Sequence, residues 1–149
     1  MPNTPSLVGR GAAGVAKGAH ATDEDLALVE RLMGAVGVCV RVEESQLHAV
    51  TALSGSGPAY LFYLMEAMIE AAMSLGLNEQ EARLLCVETV GGAADLMAAS
   101  DCAPSVLRER VTSKGGTTAA AIQSLEEQQI DQAIGRAMQR AFQRSQELA

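Results

Sequence analysis

Pro58-Ala-Tyr-Leu-Phe-Tyr-Leu-Met-Glu-Ala-Met-Ile-Glu-Ala-Ala-Met-Ser-Leu75 decides the class of this protein. Drawn as a helix, the stretch places Leu61, Phe62, Leu64, Met65, Met68, Ile69, Ala72 and Met73 around nearly its whole circumference, and only Glu66 and Glu70 break the pattern. A helix apolar on every side is expected to be buried all round. A chain of 149 residues has few places to enclose one helix completely. A subunit interface is therefore expected to supply the missing cover. The two Glu and the short apolar length argue against a membrane span.

Upstream, Ser54-Gly-Ser-Gly57 interrupts a helix expected over about 44–53, and Pro58 restarts the chain, since Pro suits the first helical turn. Before that, Thr22 and Asp25 form a capping-box pattern ahead of Leu26, Val29, Leu32 and Met33. Gly34 and Gly37 end that helix, and Val38, Val40 and Val42 alternate with polar neighbours as a short extended segment. Residues 1–21, with Pro2, Pro5 and several Gly, show no period and are expected to be an irregular connector ahead of a helical domain over 22–149.

Downstream, Gly76 stops the apolar helix, and Asn78 with Glu81 caps the next. That helix holds Gly91-Gly92 in its interior, where each Gly costs about 0.5–1 kcal/mol relative to Ala. Close approach of another backbone would compensate. A short helix is expected from Pro104 to about Val111, another over 117–127, and a last one over 131–148. Arg136, Arg140 and Arg144 recur every four residues as a solvated face. The fold class is all-α.

Composition narrows the function. The chain is 48% apolar with 3% aromatic residues and no Trp, so its core rests on Ala, Leu, Val and Met. The net charge is −7 and no basic stripe exists, which speaks against nucleic-acid binding. Cys39, Cys86 and Cys102 are widely spaced, make no metal-ligand pattern with His20 or His48, and fit reduced thiols of a soluble cytoplasmic protein. Gly9-Arg-Gly-Ala-Ala-Gly14 matches a dinucleotide-binding G-x-G-x-x-G, but only Ser6-Leu7-Val8 precedes it and the next helix cap waits until Thr22. No strand–helix–strand unit is expected in these residues, and the glycines are read as a flexible connector. His48 has no visible partner.

Three motifs remain: Met1-Pro-Asn-Thr-Pro5, Ser54-Gly-Ser-Gly-Pro-Ala-Tyr60 and Val111-Thr-Ser-Lys-Gly-Gly-Thr-Thr118. In this order and spacing they resemble three segments of pyrroline-5-carboxylate reductases, and the resemblance extends over essentially the whole chain. It implies the helical C-terminal half of that family, similar to the 6-phosphogluconate dehydrogenase C-terminal fold, whose helices interlock in a homodimer; larger assemblies also occur. It implies reduction of 1-pyrroline-5-carboxylate to proline by NADPH or NADH, with the cofactor held by a dinucleotide-binding domain not found in this chain. Neither nucleotide is therefore expected to bind the chain alone. Ser113, Gly115, Gly116, Thr117 and Thr118 would bind the imino-acid substrate, and Thr118 would be the catalytic residue that hydrogen-bonds the imine nitrogen. Ser54, Gly55, Ser56, Gly57 and Pro58 would lie near the nicotinamide, and no metal is implied. Lys114 stands where the family usually has Pro, and Asp101 where it often has Glu. The competing readings are a stand-alone, non-catalytic dimerisation or small-anion-binding module, and a helical domain from another member of the 6-phosphogluconate dehydrogenase-like superfamily.

Overall fold

The computed structural model describes residues 1–149. The chain is all-α apart from one two-stranded sheet. Its elements are β1 (Gly11–Val15), α1 (Asp23–Gly34), β2 (Gly37–Arg41), α2 (Leu47–Val50), α3 (Gly57–Ser74), α4 (Glu79–Ala98), α5 (Pro104–Arg110), α6 (Thr117–Glu127) and α7 (Ile130–Glu147). They fall into two compact units, one of residues 1–62 with 134–149 and one of residues 63–133.

The first unit corrects the reading of residues 1–21 as irregular. They contain a 3-10 turn over Thr4–Val8 and all of β1. β1 runs parallel to β2, with Gly11 opposite Gly37 and Val15 opposite Arg41. Parallel strands need a crossover, and α1 provides it. A strand–helix–strand unit is thus present where none was expected. Small residues and glycines hid β1, because period-2 alternation needs large side chains to be visible.

The glycines of this strand serve packing. A Cβ on Gly14 would lie 2.8 Å from Val50 Cγ1, so Gly14 lets α2 press on the strand. A Cβ on Gly11 would lie 2.9 Å from the Val36 carbonyl oxygen. The dinucleotide fingerprint fails for this reason and for position. Gly11 and Gly14 lie within the strand, whereas the fingerprint needs them in a turn that opens straight into a helix.

α1 starts as the sequence predicts. Thr22 Oγ1 accepts from the Asp25 N–H at 3.1 Å, and Asp25 Oδ2 accepts from the Thr22 N–H at 2.9 Å. Arg41 on β2 forks onto the Glu30 carboxylate of α1. Ala13, Leu26 and Ala52 form the small buried core of this unit.

In the second unit, Asn78 and Glu81 form the expected capping box at the start of α4. Ala82 and Cys86 are buried, and the Cys86 thiol points at the Met65 carbonyl, 3.7 Å away on α3. The apolar helix is left uncovered by the rest of its own chain. No residue of α3 is buried within this chain; Phe62 is 66% and Tyr63 77% exposed. The whole chain leaves 10966 Å² accessible. Two separate globules of half this mass would together expose only about 8,700 Å². The chain does not cover its own apolar surface. No helix is long and apolar enough to cross a membrane.

Two outcomes follow from the first unit. Gly14→Val should lower the free energy of unfolding in urea by about 1–3 kcal/mol through overpacking. Adding Val50→Ala should recover part of that loss, because the two side chains share one space. The second outcome concerns acid. Hydrogen bonds from the Thr22 backbone and hydroxyl hold the Asp25 carboxyl below its ordinary value of 3.8. A hydrogen bond from Lys17 does the same to Asp23. A carboxylate whose pKa is depressed by folding adds stability above its unfolded pKa and loses it as pH falls through the folded one. The first turn of α1 should therefore loosen only below pH 3.8. In a carboxyl-carbon NMR titration, Thr22→Val should return the Asp25 midpoint toward that value.

Candidate functional site

The Ser54–Tyr60 motif behaves differently from the expected helix break. Leu47 to Ser74 is a helical path with one wide, π-type turn over Thr51–Gly55. Ser56 N–H donates to the Thr51 carbonyl at 2.8 Å, five residues back, which defines the widening. Such a turn leaves carbonyls out of the regular ladder, and each needs a donor. Tyr60 Oη donates to the Ala52 carbonyl at 3.2 Å. Asn3 Nδ2 donates to the Ser54 carbonyl at 3.0 Å, while Asn3 Oδ1 accepts from the Ala12 N–H at 2.9 Å. The Ser54 hydroxyl is committed to the Val50 carbonyl at 3.1 Å.

The first two motifs of the sequence are thereby joined. Asn3 ties the opening motif to the π turn and to β1 in one step. Sequence reasoning gave neither Asn3 nor Tyr60 a role. The available signal was a carboxamide between two prolines at the chain start, which cannot pair with a helix of its own. Met1 closes the same corner: its carbonyl accepts from the Gly14 N–H at 3.0 Å. An open, largely apolar groove of about 640 Å³ lies here, and its lining includes Met1, Asn3, Met33, Thr51, Gly55 and Ser56. Gly55 and Ser56 of the predicted cofactor-proximal segment therefore face open space. Pro58 sits in the first turn of α3.

The third motif lies in the second unit. Gly116 N–H donates to the Ser113 carbonyl at 3.0 Å, and Gly115 has φ +72°. A turn with a left-handed third residue is type II, and it favours Gly there and Pro at the second position. Lys114 holds that second position. A Pro at that position would preset the same φ. A Cβ on Gly116 would lie 3.2 Å from the Ser113 carbonyl oxygen and closer still to the Ser113 hydroxyl, so a side chain there would crowd the turn and displace that hydroxyl.

Gly116 is the N-cap of α6 and no side chain caps this end. The first ladder bond runs from Ala120 N–H to the Gly116 carbonyl, 3.2 Å. The amides of Thr117, Thr118 and Ala119 come before it and have no partner inside the helix. Ser113, Lys114, Gly115 and Thr117 are exposed, and Gly116 and Thr118 half-buried. The stretch is open to a ligand rather than covered by side chains. It holds Ser113, Gly115, Gly116, Thr117 and Thr118 together by chain continuity. Ser54 to Pro58 belong to the other unit.

His48 is a packing residue, and the structure supplies the partners that the sequence alone did not show. Its Nδ1 lies 2.9 Å from Ser145 Oγ of α7, and its ring meets Phe142 edge-on at 6.0 Å between centroids. The sequence distance of 97 residues made this pair invisible beforehand. Burial pushes the Cys39 thiol above its ordinary pKa, which keeps it a poor nucleophile.

A helical assembly with unpaired apolar faces, a type II turn feeding an uncapped helix and a short strand–helix–strand unit ahead of it together define a class. The protein is an oligomerisation domain. A family model described as pyrroline-5-carboxylate reductase dimerisation matches residues 44–148, and the chain belongs to that family. It is 49% identical over 148 residues to a pyrroline-5-carboxylate reductase of Corynebacterium melassecola, covering 99% of this chain and 55% of the relative. The enzyme of the same name from Haemophilus influenzae is 46% identical over 150 residues, again 99% of this chain and 55% of the relative. Among solved structures, a pyrroline-5-carboxylate reductase from Coxiella burnetii superposes with a TM-score of 0.95 at 43% identity, over 100% of this chain and 56% of that one. A Plasmodium falciparum pyrroline carboxylate reductase with NADP bound gives 0.93 at 30% identity, over 97% and 59%. The chain spans little more than half the length of these proteins.

The turn geometry makes Lys114→Pro an informative substitution. It should raise stability by about 0.4–1 kcal/mol by restricting the unfolded chain, with the turn unchanged. A lowered thermal midpoint would mean that Lys114 does not occupy the second position of a type II turn.

Proposed function

We propose that this chain is the helical, substrate-binding and dimerisation part of an NAD(P)H-dependent reductase that converts 1-pyrroline-5-carboxylate to proline. The observation that carries the reading is the uncapped first turn of α6 behind the glycine turn Ser113–Gly116. Free amides at a helix N-terminus suit a small carboxylate, and the dipole adds about 0.3–1 kcal/mol. Ser113 and Thr117 add hydroxyl donors beside it. Thr118 is the hydrogen-bonding residue toward the imine nitrogen. Its hydroxyl is a weak acid, so it orients the imine and relays a proton from water as the nitrogen gains electron density.

The bound nicotinamide nucleotide supplies the hydride that adds to the C=N carbon. The groove beside Gly55 and Ser56 supports a place for its nicotinamide end, since the groove is apolar, open and of adequate volume. The residues present do not fit its pyrophosphate, because the glycines of β1 are filled by Val50, Ser6 and Val36. That half of the cofactor needs a dinucleotide-binding domain. A second copy of the chain is the partner, supported by the apolar surface left open on α3 and by the family's dimerisation description. The reading carries a cytoplasmic setting with it, in keeping with three unpaired thiols. In domain terms, residues 1–21 connect to the nucleotide-binding part and residues 22–149 provide the helical part.

Two measurements test this. NADPH titrated into the purified chain should give no saturable binding, and tight binding would contradict the assignment. In the enzyme that includes a nucleotide-binding domain, Thr118→Ala should lower kcat for imine reduction by roughly 10–100-fold. That is the worth of one hydrogen bond to a group gaining charge. Thr118→Ser should retain most activity. Unchanged kcat in Thr118→Ala would remove Thr118 from the catalytic role and favour a helical domain from another member of the 6-phosphogluconate dehydrogenase-like superfamily.

A further inference from the structure

The apolar groove beside the π turn has two walls that are far apart in sequence. Met1, Asn3 and Thr4 belong to one, and Thr51, Gly55 and Ser56 to the other. Met1 and Gly55 meet in ordinary van der Waals contact: a Cβ on Gly55 would lie 3.7 Å from Met1 Sδ. One side chain ties the walls by directed bonds. Asn3 Nδ2 donates to the Ser54 carbonyl across 51 residues of sequence, and Asn3 Oδ1 accepts from the Ala12 N–H of β1. The amide can take only this orientation, because the carbonyl needs a donor and the N–H an acceptor. Both ends of the carboxamide are therefore used. The π turn has a second outside donor, the Tyr60 hydroxyl on the Ala52 carbonyl. Tyr60 stands on α3, the continuation of the same helical path, and travels with the turn. Asn3 stands on a different segment, so of the two it is the one that fixes where the turn sits relative to β1.

We infer that Asn3 is a positioning residue of this groove: it holds the π turn against the β1 wall, and through Gly55 and Ser56 it sets where the nicotinamide ring rests during hydride transfer. The inference rests on the nicotinamide place proposed above and adds the side chain that sets its geometry. Hydride transfer needs the two reacting carbons held close together, and a misplacement of about 1 Å can cost roughly 100-fold in rate. The phosphate end of the nucleotide finds no holder in these residues, so most of its binding energy comes from elsewhere. A loosened groove therefore costs rate more than affinity. Asp at position 3 separates the two bonds of Asn3. It keeps the acceptor for Ala12 and replaces the donor to Ser54 by an oxygen that the carbonyl repels.

Asn3→Asp and Asn3→Ala test this, with Thr22→Val as a control that loosens the start of α1 away from the groove. In the chain without nucleotide, hydrogen exchange at the Ser56 amide, followed by NMR, should quicken about two- to tenfold in both Asn3 variants, the worth of one hydrogen bond, and stay unchanged in Thr22→Val. In the enzyme that includes a nucleotide-binding domain, both Asn3 variants should lower kcat for imine reduction roughly 5–50-fold while the NADPH dissociation constant moves less than about threefold. The deuterium isotope effect on kcat, with NADPH labelled at the transferred hydride, should rise, because hydride transfer becomes the slow step. Thr22→Val should leave kcat and the isotope effect alone even where it lowers the thermal midpoint. If Asn3→Ala does not fold, the nearly isosteric Asn3→Asp decides. An Asn3→Asp enzyme with the isotope effect and kcat of the unmodified one, or with a loss confined to NADPH affinity, would overturn the positioning role and leave the reductase reading standing. An unmodified enzyme that does not reduce the imine would overturn both.

Discussion

Apolar surface left in water costs about 25 cal/mol per Å², and α3 exposes such surface over most of its circumference. No rearrangement of side chains within one helix can remove that cost, because a helix with no polar face has no side to offer the solvent. The rest of the protein is organised around this constraint. α4 uses one stripe to meet α3 near Met65 and keeps another unpaired. Only five side chains in the whole chain are buried, and four of them are Ala or Cys. A core that small does not stabilise a domain of this length by itself, so the helical part needs surface from outside.

Against that open scaffold, the first unit is knit by hydrogen bonds. The π turn at Thr51–Gly55 would leave the Ala52 and Ser54 carbonyls without partners in a half-buried setting. Tyr60 and Asn3 satisfy them. Because Asn3 also holds Ala12, a local irregularity in a helix fixes the path of the chain start and the edge of β1. The same turn keeps Gly55 and Ser56 on an open groove. The irregularity therefore positions the surface proposed for the nicotinamide.

The loop ahead of α6 works the opposite way. It is short, exposed and set by local rules: a left-handed glycine, a glycine N-cap and an uncapped helix. Each donor proposed for the substrate comes from consecutive residues, so its geometry depends little on the remainder of the fold. That independence is why the motif could be read in one dimension. The His48–Ser145 contact and the Asn3 bonds could not, since both partners are unremarkable alone.

Local chemistry in the sequence determined the helix starts at Thr22 and Asn78, the extended segment after Gly37, the glycine turn before Thr117 and the apolar character of α3. All of these follow from propensities that act over three or four residues. Only the tertiary structure decided that Gly11–Val15 is a strand, since a ladder partner 26 residues away makes it one and its own side chains are too small to show a period. It alone decided that the Ser54–Gly57 segment widens a helix instead of ending it, because distant donors stabilise the freed carbonyls. It also decided that α3 stays uncovered within one chain: hydrophobicity states that a surface must be buried, and the neighbours that bury it are a property of the packed molecule.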